Sequence, residues 1–238
     1  MKRQFDPAEP EWMDRPQPVS EELISDLRNL RALNRYFGSY RLVRHFVRRW
    51  IRPNDKLRVL DLATGSGDIP RLLVGFARRI GARTEVDAID FQPATVEIAR
   101  SLSEGFPEIS YHCADIHEFG AAREYDLVLF SLALHHFSER EAIALLRRCR
   151  ELSRGKVLVA DLRRNWFARI SVHLLTTFVF RDAMTRNDAR VSVARSFSFR
   201  EMAQMARAAG WTAFGHRRFR FARQAIWLER APADSAAE

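Results

Sequence analysis

The stretch Val59-Leu60-Asp61-Leu62-Ala63-Thr64-Gly65-Ser66-Gly67-Asp68 constrains the fold more than any other part of the chain. It predicts an apolar strand, a short turn that contains glycine, and a following helix. A second apolar strand ends at Ala88-Ile89-Asp90, 29 residues after Asp61. Glycine lets a ligand approach the backbone, and an acid at the tip of the next strand can accept hydrogen bonds from both hydroxyls of a ribose. The pattern therefore predicts a site for a ligand that contains a nucleoside.

The turn differs from two familiar phosphate-binding turns. A dinucleotide-binding loop has the spacing G-x-G-x-x-G, whereas here Pro70 takes the place of the third glycine. The helix that follows has no glycine cluster and no lysine or threonine for phosphate, which excludes a P-loop. A ligand with a ribose but no pyrophosphate fits this turn better.

Strands alternate with amphipathic helices through the middle of the chain, which predicts an α/β fold with a doubly wound, mostly parallel sheet. Ligands of such a sheet lie at the carboxyl ends of its strands. After this region a helix is predicted from Ser198 to near Gly210, and an antiparallel strand pair closes the sheet. The predicted strands are 57–62, 84–90, 109–113, 126–131, 156–161, 212–219 and 224–229, with helices at 69–80, 93–103 and 139–153.

The composition and the positions of proline and glycine divide the chain into six segments. Residues 1–19 are rich in proline and are predicted to be flexible, either as a loose tail or as a segment folded over the site. The apolar run Ile170 to Phe180 is too short to span a bilayer. The remaining segments are an N-terminal helical lid at 20–53, a ligand-binding core at 54–161, a helical cap at 162–197, a C-terminal helix and strand pair at 198–230, and a disordered tail at 231–238.

Four motifs, in order, resemble those of the class I S-adenosylmethionine-dependent methyltransferases. Asp61 to Gly67 reads as their first motif and Asp90 as their ribose-binding acid. Cys113 to Ile116 resembles the segment beside the adenine, and Tyr125 to Ser131 the fourth strand. The resemblance covers roughly Leu57 to Leu228 and is greatest to the small-molecule methyltransferases of ubiquinone and menaquinone biosynthesis, which also carry alanine at the position of Ala63. It implies a Rossmann-like fold in which the cap covers the substrate.

The resemblance also assigns the residues that bind the cofactor, S-adenosyl-L-methionine. The glycine turn is expected to hold the methionine and ribose portions, Asp90 the ribose hydroxyls, and Asp115 the adenine amino group. The assigned residues are Asp61, Gly65, Ser66, Gly67, Asp90, Phe91, Asp115, Ile116 and Ser131.

Methyl transfer from a sulfonium mainly needs alignment and exclusion of water, and it needs a base only where the acceptor must lose a proton. His135 and His136 follow the fourth strand, where the chain reaches the methyl donor, so we predict one of them as the base. His173 and Asp161 are further candidates. The histidine pair departs from the quinone-type relatives and favours oxygen over carbon methylation. No ligand set has metal spacing, so we predict no metal.

The apolar, aromatic cap favours a small hydrophobic substrate, phenolic or quinone-like, as in secondary pathways that tailor polyketides. A net charge of +9 and a pI of 10.4 raise nucleic acid and anionic membranes as partners. An arginine-rich solvated surface explains the charge equally well. Two alternatives stay open: an RNA methyltransferase, disfavoured because the usual base-methylation motif is missing, and a nucleoside-binding domain without turnover. Two cysteines in apolar segments predict a cytoplasmic location. Peripheral membrane contact and the oligomeric state, monomer or homodimer, stay undecided.

Overall fold

A seven-stranded sheet forms the centre of the computed structural model, which describes residues 2–120, 124–180 and 182–229. The strand order is β3-β2-β1-β4-β5-β7-β6. The five strands from β3 to β5 pair in parallel, and β7 is antiparallel to both of its neighbours. The predicted doubly wound sheet with a closing antiparallel strand is confirmed. The strands are β1 (Lys56–Leu62), β2 (Arg83–Asp90), β3 (Ile109–Cys113), β4 (Tyr125–Ser131), β5 (Ser153–Leu162), β6 (Gly215–Phe219) and β7 (Arg223–Glu229).

The helices begin at residues that cap them. The Ser20 hydroxyl accepts the backbone N–H of Leu23, and the capping box predicted at Ser198 and Glu201 is present. The helices are α1 (Glu21–Tyr36), α2 (Ser39–Trp50), α3 (Asp68–Ile80), α4 (Pro93–Ser101), α5 (Glu139–Leu152), α6 (Trp166–Phe178), α7 (Ala183–Arg195) and α8 (Phe199–Ala208), with short 3-10 helices at Trp12–Asp14 and Leu134–His136.

Helices cover both faces of the sheet, which explains why its central strands are apolar throughout. Successive side chains of a strand point to opposite faces. Phe130 accordingly packs with residues of α5 and α8, whereas its neighbour Leu129 packs with residues of α2 and α3. Both side chains are fully buried. This arrangement leaves the carboxyl ends of the parallel strands as the place for a ligand.

Three helices stand over that edge of the sheet. Helix α7 packs against both α6 and α1. The contact with α1 includes a buried polar group: the Thr185 hydroxyl donates to the Asp26 carboxylate at 2.7 Å and accepts from the Asn29 amide at 3.0 Å. The lid and cap segments of the sequence therefore meet each other above the strand ends.

The N-terminal segment adopts the second of its two predicted arrangements, folded over the site. The Asp188 carboxylate accepts the backbone N–H groups of Trp12 and Met13 at 2.8 and 3.0 Å. The Arg3 guanidinium donates to the backbone carbonyls of His135 and Phe137 at 3.0 and 2.6 Å. Contacts across the whole chain hold this segment in place, although its composition predicts no regular structure.

Several element boundaries differ from the prediction by up to three residues, and one segment lies outside the description. Strand β5 begins at Ser153 rather than at 156. Helix α4 ends at Ser101 rather than at 103, and the strand predicted from 212 begins at Gly215. The chain before Gly215 is used for packing instead, because the buried Trp211 indole donates to the Leu146 carbonyl at 3.1 Å. The tail predicted to be disordered, 231–238, lies outside the described residues.

Candidate active site

A cavity of about 730 Å³ opens at the carboxyl ends of the strands. A volume of this size is typical of small-molecule and cofactor sites. One part of the lining is the turn after β1 and the tip of β2, with Asp61, Gly65 and Asp90; we call it the glycine-loop end. A second part, formed by Glu11, His135 and His136, we call the histidine end. Both ends belong to one continuous space.

The glycine turn has a backbone that only glycine adopts without strain. Gly65 and Gly67 have φ values of +54° and +71°. A Cβ on Gly65 would meet no atom within 4 Å, so this residue presents bare backbone to the cavity. A Cβ on Gly67 would lie 2.1 Å from the Tyr111 hydroxyl oxygen. The first glycine leaves room for a ligand, and the second leaves room for a buried tyrosine.

Asp90 ties the tip of β2 to the glycine turn. Its Oδ2 accepts the backbone N–H of Gly65 at 2.8 Å, and its Oδ1 accepts that of Gln92 at 3.2 Å. Burial raises the pKa of the Asp90 carboxyl, and the two N–H groups oppose this rise. Each carboxylate oxygen keeps a free lone pair, so the side chain can still accept hydroxyls from a ligand.

The buried polar atoms at this end that have no hydrogen-bond partner among the described residues include Oδ1 of Asp61 and Oγ of Ser131. Burial, together with the smaller effect of the nearby charges on Asp68 and Asp90, raises the pKa of Asp61 to about 8. Unpartnered buried polar groups cost free energy, and in native structures they call for an explanation. A ligand that brings an ammonium group and hydrogen-bond donors would satisfy both atoms.

The predicted adenine-side residues also line the cavity. Ile116 is buried in the core, and Phe91 is 54% exposed. The Oδ1 atom of Asp115 accepts the backbone N–H of His117 at 2.7 Å, so the other carboxylate oxygen is the one available to a ligand. The predicted cofactor residues that line the cavity together are Asp61, Gly65, Ser66, Asp90, Phe91, Asp115, Ile116 and Ser131, whereas Gly67 is not part of the lining.

At the histidine end, each imidazole is held through its Nδ1 atom by a carboxylate. Nδ1 of His135 lies 2.7 Å from Oδ1 of Asp161, and Nδ1 of His136 lies 2.6 Å from Oδ2 of Asp14. Both Nε2 atoms then face Glu11. Oε1 of Glu11 lies 3.7 Å from Nε2 of His135 and 3.8 Å from Nε2 of His136. Glu11 itself is buried and accepts the Ser192 hydroxyl at 2.8 Å.

Burial and neighbouring charges act differently on the two imidazoles. Burial lowers the pKa of His135, although Asp161 opposes this change. Burial also disfavours the charged form of His136, but the carboxylates of Glu11 and Asp14 outweigh it and raise the pKa to about 10. Burial raises the pKa of Glu11. The two histidines therefore differ in their readiness to hold a proton: the pKa of His135 is lowered and that of His136 is raised.

The ligand atoms of Glu11, His135 and His136 all lie within 4.8 Å of one another, a spacing that a metal ion could bridge. The expectation of no metal, which rests on sequence spacing, stays a prediction. His173 lies on α6, exposed and outside the cavity lining, whereas Asp161 contacts the site through His135.

Sequence reasoning missed Glu11, Asp14 and Asp188. Glu11 and Asp14 flank the apolar pair Trp12-Met13, which was the one visible sign that this proline-rich segment packs against something. Nothing in the local sequence says where it packs, because the contacts join residues more than a hundred positions apart, such as Asp14 and His136.

Comparison with known proteins agrees with this geometry. Residues 59–156 match the family model described as "Methyltransferase domain". The chain is 35% identical over 75 residues to the 2-phytyl-1,4-naphtoquinone methyltransferase of Thermosynechococcus vestitus, covering 32% of each chain. It is 31% identical over 113 residues to a ubiquinone biosynthesis O-methyltransferase of Bradyrhizobium sp., covering 46% of this chain and 42% of that one. The chain carries a methyltransferase domain and is similar to the class I S-adenosylmethionine-dependent methyltransferases.

The class I methyltransferase fold extends over most of the chain. The solved structure of the plantazolicin methyltransferase BpumL in complex with SAH aligns with a TM-score of 0.66 at 14% identity, covering 90% of this chain and 91% of that one. At that identity the likeness concerns the fold alone. The sequence matches to the two quinone-type methyltransferases span less than half of those relatives' own lengths. The family resemblance predicted from the four motifs is confirmed.

Proposed function

We propose that this chain transfers a methyl group from S-adenosylmethionine to an oxygen atom of a small hydrophobic molecule, phenolic or quinone-like. One observation carries the proposal: a single cavity joins the glycine-loop end to a pair of carboxylate-held histidines. The curated relatives include quinone-pathway methyltransferases, and some solved neighbours were crystallised with SAM or SAH.

The glycine-loop end has the features that the methyl donor needs. The bare backbone of Gly65 admits the ligand, and the Asp90 carboxylate can accept the ribose hydroxyls. The unpartnered Oδ1 of Asp61 suits the donor's α-ammonium group. When bound, S-adenosylmethionine supplies a methyl group on a positively charged sulfur. The protein's own part is to hold acceptor and donor in line and to exclude water.

The apolar part of the lining suits a hydrophobic acceptor. It is made by side chains of α1, α6 and the turn between β6 and β7, which are mostly aliphatic or aromatic. Among the cavity-lining residues are Leu27, Leu30, Phe37, Phe167, Val172, Leu175 and Phe221.

The histidine end suits an acceptor whose reacting atom is polar. Both imidazoles line the cavity, and Nε2 of His135 is without a hydrogen-bond partner in the part of the chain that the structure describes. We therefore place the hydroxyl oxygen of the acceptor against His135 and His136. An all-apolar wall would suit an unactivated carbon, whereas two oriented imidazoles suit an oxygen.

Three finer expectations stay predictions. Among the described residues, no helix is both long and apolar enough to cross a membrane. Peripheral membrane contact has a candidate surface on α6, where Trp166 and Phe178 are 70% and 80% exposed. The cytoplasmic location rests on two free cysteines, Cys113 and Cys149. The oligomeric state stays undecided.

The proposal is tested by product analysis. Purified protein is incubated with S-adenosylmethionine and a panel of phenols and quinols, and products are identified by mass spectrometry. We expect an O-methylated product, and a drop in turnover of about 100-fold for His135→Gln with donor affinity within about twofold of wild type. Donor binding without product from any small molecule, but with methylated RNA, would move the assignment to the nucleic-acid alternative. Donor binding with no product at all would favour the non-catalytic one.

A further inference from the structure

The three side chains at the histidine end form a cluster whose coordinating atoms point at one another. Oε1 of Glu11 stands almost equally far from the two imidazole Nε2 atoms, at 3.7 and 3.8 Å. These distances are too long for hydrogen bonds. All three atoms lie within 4.8 Å of one another, and Glu11 and His135 are buried. The three groups share a small space without bonding directly to each other.

The outer contacts fix the orientation of this cluster. Asp161 and Asp14 hold Nδ1 of His135 and His136 at 2.7 and 2.6 Å, so each ring turns its Nε2 toward the cluster centre, where a bound cation would displace the Nε2 proton of His136. A carboxylate on the far nitrogen of a histidine is the usual outer contact of a metal-bound imidazole. Here both histidines have one, from segments that are distant in the sequence.

One atom of the cluster has no structural explanation. Nε2 of His135 is buried and, within the described residues, has no hydrogen-bond partner. The side chain is only 3% exposed. Because a buried imidazole nitrogen without a partner is costly, its orientation toward Glu11 and His136 suggests a missing positively charged partner.

We propose that Glu11, His135 and His136 bind a divalent transition-metal cation such as Zn²⁺, Fe²⁺ or Mn²⁺. Two imidazole nitrogens and one carboxylate oxygen are a ligand set that these ions accept, and it leaves coordination positions open toward the cavity. Metal–ligand distances of about 2.0–2.2 Å require the three atoms to move inward by only a few tenths of an ångström. The carboxylates of Asp14 and Asp161 add negative charge around the cation.

The role of the cation depends on the proposed function, but its binding does not. A cation at this end faces the place assigned to the acceptor hydroxyl, and its charge favours the deprotonated form of that hydroxyl. The acceptor's proton then passes to solvent, the new O–CH₃ bond forms, and the sulfur–CH₃ bond breaks with both electrons left on sulfur. His135 and His136 would serve as ligands and not as proton acceptors.

The experiment measures cation binding directly. Tag-free full-length protein is treated with a chelator, dialysed, and titrated with ZnCl₂ or MnCl₂ by calorimetry, and the spectrum of the Co²⁺-loaded protein reports the ligand set. We expect one cation per chain, with affinity at least about 100-fold weaker in Glu11→Gln, His135→Gln and His136→Gln. Asp14→Asn, which removes the negative charge of an outer contact, should weaken the affinity about 10- to 100-fold. His173→Gln, an exposed histidine away from the cavity, is the matched control and should bind normally.

Two results would overturn the inference: no binding of either cation by wild-type protein at about 1 mM, or binding that none of the three ligand variants weakens. Donor titration and thermal unfolding of each variant show whether it is folded. Cation binding without donor binding would refute the proposed function and leave the metal site standing. Methyl transfer at an undiminished rate by cation-free protein would refute the cation's role in the reaction and return the histidines to the predicted role of base, while the titration alone decides whether the site binds a cation.

Discussion

The glycine-loop end and the histidine end of the cavity are built in different ways. At the first, the turn after β1 and the tip of the neighbouring strand β2 meet because parallel strands place their carboxyl ends at one edge. At the second, Glu11 reaches Ser192 and Asp14 reaches His136 across 181 and 122 positions of the chain. The comparison shows that a local motif supplies one half of the site and that long-range packing assembles the other.

Substitution of the two glycines should show that Gly65 matters mainly for donor affinity and Gly67 mainly for the stability of the fold. Gly67→Ala forces a Cβ onto the buried Tyr111 at a positive φ, so we expect the free energy of unfolding to fall by about 2–4 kcal/mol. Gly65→Ala meets no neighbour and should lose only about 1 kcal/mol, but it should weaken donor affinity about 100-fold. Urea denaturation and calorimetric titration measure the two effects.

The double variant Gly67→Ala/Tyr111→Leu is the control for this pair, and it should recover part of the lost stability. Equal stability losses for the two single glycine variants would contradict the account, as would normal donor binding by Gly65→Ala.

These glycines also show how much of the site can be predicted from sequence. The motif places Gly65, Asp90 and the strand ends correctly, because strand alternation and turn chemistry are local properties. It cannot place Tyr111 behind Gly67, nor bring Glu11 to the histidines. Such contacts depend on how separate segments pack, and proline-rich composition gives no information about a tertiary partner.

The two hydrogen bonds between Asp188 and the N-terminal segment are the next point of difference between the two ends of the site. Asp188→Asn replaces one of the two oxygens that accept the N–H groups of Trp12 and Met13 with a donor, which leaves one N–H unpaired. We expect turnover with the acceptor to fall about 10-fold, faster hydrogen exchange at residues 11–14, and donor affinity within about threefold of wild type. Arg186→Ala, an exposed residue of the same helix, is the control. A variant with unchanged hydrogen exchange and unchanged turnover would show that the segment does not depend on these two hydrogen bonds.

We expect Asp61 to lower the free energy of unfolding of the donor-free protein and to strengthen donor binding. Because burial raises its pKa from 3.8 to about 8, the folded protein holds a proton that the unfolded chain releases, and the cost to stability grows as the pH rises from about 4 to 8. At pH 8, Asp61→Asn should therefore raise the free energy of unfolding by about 1–3 kcal/mol without donor, and the gain should shrink toward pH 4. Its donor affinity should be lower. A gain that does not change with pH would contradict this reading.

The most direct test of the account is calorimetric titration of S-adenosylmethionine into wild-type protein and Asp90→Ala. Loss of the carboxylate removes the acceptor of the Gly65 N–H and of two ligand hydroxyls, so affinity should fall at least about 100-fold, equivalent to roughly 3 kcal/mol. Asp87→Asn is the control, since Asp87 lies on the same strand but contacts His112 and Tyr125. Equal donor affinity for wild type and Asp90→Ala, or no donor binding by folded wild-type protein, would contradict the assignment of the glycine-loop end.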